Sequence, residues 1–182
     1  APGEMVTLAG RTGAGKSTIF KLILGDYEPW VGTVHVWGAD AAQLAPQARR
    51  GFVGHVDQAF KAVPGTVADQ ITLGDPGISR EEMAQAAQLA GIGGALQALP
   101  QGYDTPYAEG LLSQGQTQLL SIARAVAANP KLLLLDEITA NLDSGTEQQV
   151  MEALRRASQN RAVLSISHRL YEQSGQGRIV QI

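Results

Sequence analysis

Apolar residues in this chain fall into two kinds of block. Val6-Thr7-Leu8-Ala9, Gly51-Phe52-Val53-Gly54-His55-Val56, Lys131 to Asp136 and Ala162 to Ser167 are short runs bounded by Gly, Pro or acid, and they predict strands. The unbroken leucines 132–135 have the texture of a strand buried on both faces, as in parallel sheets. Elsewhere apolar residues recur at helical spacing. Lys16 to Leu24 predicts a helix on Ile19, Phe20, Leu22 and Ile23, stopped by Gly25. Ser79-Arg80-Glu81-Glu82 has the spacing of a capping box and opens a helix through Leu89, ended by Gly91. Gln116 to Ala128 predicts another, ended by Asn129-Pro130. Ser144-Gly145-Thr146-Glu147 has the same capping spacing and opens a helix to about Ala157. Thr33 to Trp37, between Gly32 and Gly38, predicts an antiparallel strand.

Strands alternating with helices predict an α/β fold with a parallel-sheet core and a small antiparallel β region. From about Thr66 the texture turns to helix and loop, so 66–128 is expected to be an inserted α-helical subdomain. Residues 1–65 and 129–182 then form the core. The 182 residues can bury a sizeable core without a staple. The absence of Cys excludes a disulfide scaffold, a Cys-ligated metal and a thiol nucleophile. Net charge is −3 and the basic residues form no stripe, which argues against a nucleic-acid partner. No apolar run approaches the roughly 18 residues of a membrane span.

Candidate chemistry begins at Gly10-Arg11-Thr12-Gly13-Ala14-Gly15-Lys16-Ser17, which fits G-x-x-x-x-G-K-[ST] and is followed by Thr18. Glycines in such a loop let successive N–H groups point inward as an anion nest, and the following helix adds its positive end. Lys16 puts a point charge on the β- and γ-phosphates, and the Ser17 hydroxyl is a ligand for Mg²⁺. This is the phosphate loop of P-loop NTPases, shared by GTPases, kinases and transport ATPases. The strand 132–135 ends in Asp136-Glu137. At the carboxyl ends of parallel strands both features can converge on one nucleotide. Asp136 is then expected at the Mg²⁺ and Glu137 beside the attacking water as general base.

Leu112-Ser113-Gln114-Gly115-Gln116 resembles the LSGGQ signature of ABC transporter ATPases, with Gln in its third place. Other elements stand in that family's order. Gln58 resembles the Q-loop, Ala140-Asn141-Leu142-Asp143 the D-loop, and His168 the switch histidine. Thr66 to Ile71 and Leu99 to Thr105 resemble stretches typical of exporters. No GTPase-type N-K-x-D is present. The resemblance implies ATP and Mg²⁺ as ligands, with Gln58 at the metal and His168 on the γ-phosphate. Ser113, Gly115 and Gln116 would act in trans on the nucleotide of a second, identical or related ATPase domain, with Asp143 at the dimer contact. It implies a membrane partner fused upstream, a location at the cytoplasmic face of the membrane, and ATP hydrolysis that powers export. Glu109 resembles the acid of the loop that meets the membrane domains.

The sequence also departs from the family. The residues before Gly10 include no aromatic to stack on adenine, so the chain reads as a truncated cassette. Only Gly110-Leu111 separate Glu109 from the signature, where exporters usually have more. After His168 neither the acid nor the further strand of the family is evident. Two other readings remain: a non-transport ABC ATPase acting on nucleic acid or ribosomes, and a nucleotide-sensing cassette with weak hydrolysis.

Overall fold

The computed structural model describes residues 2–136, 142–166 and 177–182. Its centre is a five-stranded parallel sheet. The strands are β1 (Met5–Ala9), β4 (Val53–Val56), β5 (Leu132–Leu135), β6 (Ala162–Ser165) and β7 (Arg178–Gln181), in the order β4-β5-β6-β1-β7. β2 (His35–Val36) and β3 (Ala39–Asp40) form a separate antiparallel pair. That pair is shorter than the strand expected over 33–37, because Trp37 and Gly38 take positive φ and turn the chain between the two strands.

The four leucines of β5 explain the two-layer core. Successive side chains of a strand point to opposite faces. Leu133 and Leu135 join one apolar cluster with α3 (Val67–Thr72), α4 (Arg80–Leu89), α6 (Gln114–Val126) and α7 (Ser144–Ser158). Leu134 joins the other, with Leu8, Val53 and Phe20 of α1 (Lys16–Ile23). The short helices α2 (Pro46–Arg50) and α5 (Gly93–Gln97) and two 3-10 turns, Ala41–Gln43 and Gly102–Asp104, complete the described elements. Gly54 lets β4 and α6 approach closely: a Cβ there would lie 2.2 Å from the Ala125 carbonyl oxygen. Among the described residues no helix is long and apolar enough to cross a membrane.

Three sequence expectations need correction. Helix α6 begins at Gln114, not Gln116, because Ser113 caps it: its hydroxyl accepts from the Gln116 amide while the Gln116 side chain accepts from the Ser113 amide. Helix α7 is capped by Asp143 rather than Ser144, since the Asp143 carboxylate accepts from the amides of Gly145 and Thr146. The missing strand after residue 168 is present as β7. Both its faces are exposed, so it has no amphipathic pattern, and parallel pairing to β1 holds it in place. The capping box at Ser79 is as expected, and Thr66 with Asp69 forms another at α3.

Candidate functional site

All five strands run parallel, so their carboxyl ends share one edge of the sheet. That edge gathers the candidate chemistry. The loop 10–15 leaves β1, Asp57-Gln58 leaves β4, and Asp136 leaves β5, its amide donating to the Val56 carbonyl at 3.1 Å. A cavity of about 310 Å³ opens there. Thr12, Gly13, Lys16, Ser17 and Thr18 line it together with Gln58 and Asp136. Thr12 and Asp136, 124 positions apart in sequence, thus meet around one space because parallel strands deliver every loop to the same edge.

The loop is an open anion cradle. Gly13 (φ 85°) and Gly15 (φ 97°) take left-handed conformations that a side chain would strain. Gly10 is required for another reason: a Cβ there would lie 2.9 Å from the Ile182 carbonyl oxygen and 3.2 Å from the Ala14 Cβ. Arg11 accepts from the Ala14 amide at 3.1 Å and closes the turn. Gly15 is the N-cap of α1, which has no side-chain cap and no acid in its first turn. No acid of its own first turn therefore competes for the helix's positive end. The Lys16 ammonium donates to the carbonyls of Gly10 (2.7 Å) and Arg11 (3.1 Å), so its charge is held over the loop. Behind the loop, Phe20 meets the His55 ring edge-on. Burial pushes the His55 imidazole below its ordinary value.

Ser17, Gln58 and Asp136 offer a hydroxyl, an amide and a carboxylate to the same cavity. Such hard oxygen donors fit Mg²⁺, which takes few protein ligands and keeps several waters. Glu137 and His168, the expected base and γ-phosphate contact, lie outside the described residues, as do Ala140 and Asn141.

The signature lies apart from that cavity's lining, at the N-terminus of α6. Ser113 is exposed and Gln114 points to solvent-accessible surface. Gly115 faces α7, where a Cβ would fall 2.2 Å from the Thr146 methyl. Asp143 accepts from the Thr146 hydroxyl at 2.5 Å, and these bonds hold its carboxyl below its usual value. A larger cavity of about 730 Å³ runs from Gln58 past Phe60 and Pro64 to Tyr107, Glu109 and Gln114. Gln58 therefore borders both cavities.

Two arginines that sequence reasoning passed over hold this region together. Arg124 of α6 donates to the carbonyls of Lys61 (2.8 Å) and Gln70 and to the Gln70 side chain (3.3 Å). Its guanidinium lies 4.1 Å from the centre of the Phe60 ring. Arg50 donates to the carbonyls of Thr72, Ile71 (3.1 Å) and Arg124 (3.3 Å) and pairs with Asp75 at 3.7 Å. Burial, then the neighbouring Arg50, pushes Arg124 down to about 10, so it stays charged at neutral pH. The signal in the sequence was one cation inside the small-residue run Ser121-Ile122-Ala123-Arg124-Ala125-Val126. A charge at such a place must find buried partners.

Comparison with known proteins narrows the reading. A family model described as ABC transporter matches residues 1–140. The ATM1-type heavy metal exporter of Novosphingobium aromaticivorans is 41% identical over 172 residues, covering 93% of this chain and 28% of that protein. The mitochondrial ATP-binding cassette sub-family B member 10 of Mus musculus is 42% identical over 173 residues, 92% of this chain and 24% of that one. The alpha-hemolysin translocation ATP-binding protein HlyB of Escherichia coli O157:H7 is 37% identical over 180 residues, 98% of this chain and 26% of that one. The chain thus spans less than a third of the length of these relatives. A solved bacterial Atm1-family ABC exporter with ATP bound superimposes with a TM-score of 0.81 at 38% identity, covering all of this chain and 32% of that one.

Proposed function

The chain belongs to the ABC transporter family, and we propose that it is the domain that binds and hydrolyses Mg·ATP to drive an exporter. The observation that carries this reading is the single cavity shared by the glycine loop, Gln58 and Asp136. In this proposal the amides of 10–15 and the Lys16 ammonium bind the β- and γ-phosphates, with Ser17 and Thr18 at their base. Ser17, Asp136 and Gln58 hold Mg²⁺, which when bound neutralises charge on the phosphate oxygens. Glu137 accepts a proton from the attacking water, and His168 holds the γ-phosphate side of the site.

Ser113, Gly115 and Gln116 complete the site of a second copy or a related domain, and Asp143 lies at that contact. A two-fold arrangement gives two equivalent sites, each needing both chains. The N-terminus of α6 supports this, because Ser113 at that helix start is exposed and open to a partner. The membrane partner docks at the larger cavity, where Glu109 and the Gln58 loop meet. Nucleotide state then reaches it through Gln58. The assembly is placed by this reading at the cytoplasmic face of a membrane, with 66–128 acting as the inserted subdomain.

The test is Glu137→Gln. It is expected to leave ATP binding intact and slow turnover at least ~10²-fold, the loss typical of a missing general base. Near-normal turnover would remove Glu137 from that role.

A further inference from the structure

Ser113 caps α6 and Asp143 caps α7, and the bonds of each cap stay within its own helix. The two helix starts meet where the Thr146 methyl packs on Gly115. Thr146, in the first turn of α7, gives its hydroxyl to the Asp143 carboxylate at 2.5 Å and its amide to the same group at 3.0 Å. A β-branched side chain held by its hydroxyl has no free rotamer. Its methyl is therefore fixed, and it is aimed at Gly115. An added Cβ at Gly115 would lie 2.2 Å from that methyl and 3.5 Å from the Thr146 Cβ. Gly115 does not have a positive φ, so the backbone does not require glycine there. The requirement comes from Thr146.

We infer that Thr146 is a positioning residue. It sets the spacing between the signature at the start of α6 and the Asp143 cap at the start of α7. The signature and the dimer-contact acid then move as one unit, through Gly115, Thr146 and Asp143. The contact itself is independent of function; its consequence for ATP turnover rests on the proposed role of the signature in trans.

The test is a size exchange. Gly115→Ala is expected to lower the melting temperature of the chain by about 3–10 °C, the range for one overpacked methyl in a chain of this size. It should also keep ATP binding by the glycine loop while losing at least ~10-fold in ATP-driven dimerisation and turnover. Thr146→Ser removes the offending methyl and keeps the hydroxyl bond to Asp143. The double variant Gly115→Ala/Thr146→Ser is expected to return melting temperature, dimerisation and turnover to the level of Thr146→Ser alone. No recovery of the melting temperature would overturn the contact. Recovery of the melting temperature without recovery of dimerisation and turnover would overturn the positioning role and assign Gly115 to the nucleotide alone. Failure of the unmodified chain to dimerise with ATP would count against the proposed function, while the melting temperatures would still decide the contact.

Discussion

Arg124→Ala removes a guanidinium that binds three acceptors on two other segments, the Lys61 carbonyl and the carbonyl and side chain of Gln70. It also removes the cation lying over Phe60. Hydrogen bonds to a charged donor contribute about 1.5–3 kcal/mol each. A cation over an aromatic ring adds about 1 kcal/mol. Against this stand the cost of burying the charge and its repulsion from Arg50, which together push its ionisation down to about 10. With that cost set against the lost bonds, and the Gln70 and Lys61 acceptors left short of a donor, the net loss is about 3 kcal/mol. Arg124→Lys keeps the charge but not the planar fork, so it can serve one carbonyl at a time and loses the stack. Its expected cost is about 2 kcal/mol. Urea unfolding of the three chains at neutral pH measures both values. A Phe60→Leu cycle should show coupling with Arg124 of about 0.5–1 kcal/mol. Equal stabilities for the Lys and Ala variants, or losses below about 0.5 kcal/mol in both, would refute the clasp.

Two further expectations concern packing and pH. Gly54→Ala should destabilise by about 3 kcal/mol in the same assay, because the new methyl meets the rigid Ala125 carbonyl at 2.2 Å. Asp69 accepts from the Thr66 amide (2.7 Å) and hydroxyl (2.8 Å), and these bonds hold its carboxyl below the usual 3.8. A carboxyl lowered on folding stabilises fully above its unfolded value and loses that contribution as pH falls through its folded value. Thr66→Ala should raise the Asp69 ionisation part of the way back, read by NMR titration. It should also move acid unfolding to higher pH. An unchanged Asp69 titration would contradict the assignment.

What was legible in the sequence follows from what local pattern encodes. Leucines 132–135 announce a strand buried on both faces, and the structure sends Leu133 and Leu135 one way and Leu134 the other. Ser79 with Glu82 announces a helix start, because both halves of that cap lie within one turn. The glycine loop is legible because phosphate binding fixes both residue type and spacing. Asp143 was harder as a cap, since Ser144 offers the same spacing one residue later and only the carboxylate's reach to two amides decides. β7 has no inward face to give it a pattern, so only pairing with β1 reveals it. Arg50, Arg124 and Thr146 act on partners distant in sequence. The partners of Arg124 include Lys61 and Gln70, and the neighbour of the Thr146 methyl is Gly115. No short window holds both halves of such a contact. Gly115 was recognised for its motif, and its packing reason appeared only with α7 beside it.

The central claim is that each ATP site is built from two chains, the glycine loop of one and the signature of the other. Mixing two inactive variants tests it most directly. Lys16→Ala disables the loop of one chain, and Ser113→Arg blocks the signature of the other. Each alone should hydrolyse no ATP above background. Mixed in equal amounts, half of randomly paired dimers contain one of each, and in these one site has both parts intact. The account predicts recovery to about a quarter of unmodified turnover. No recovery at any mixing ratio, or full turnover by the Ser113→Arg chain alone, would contradict it.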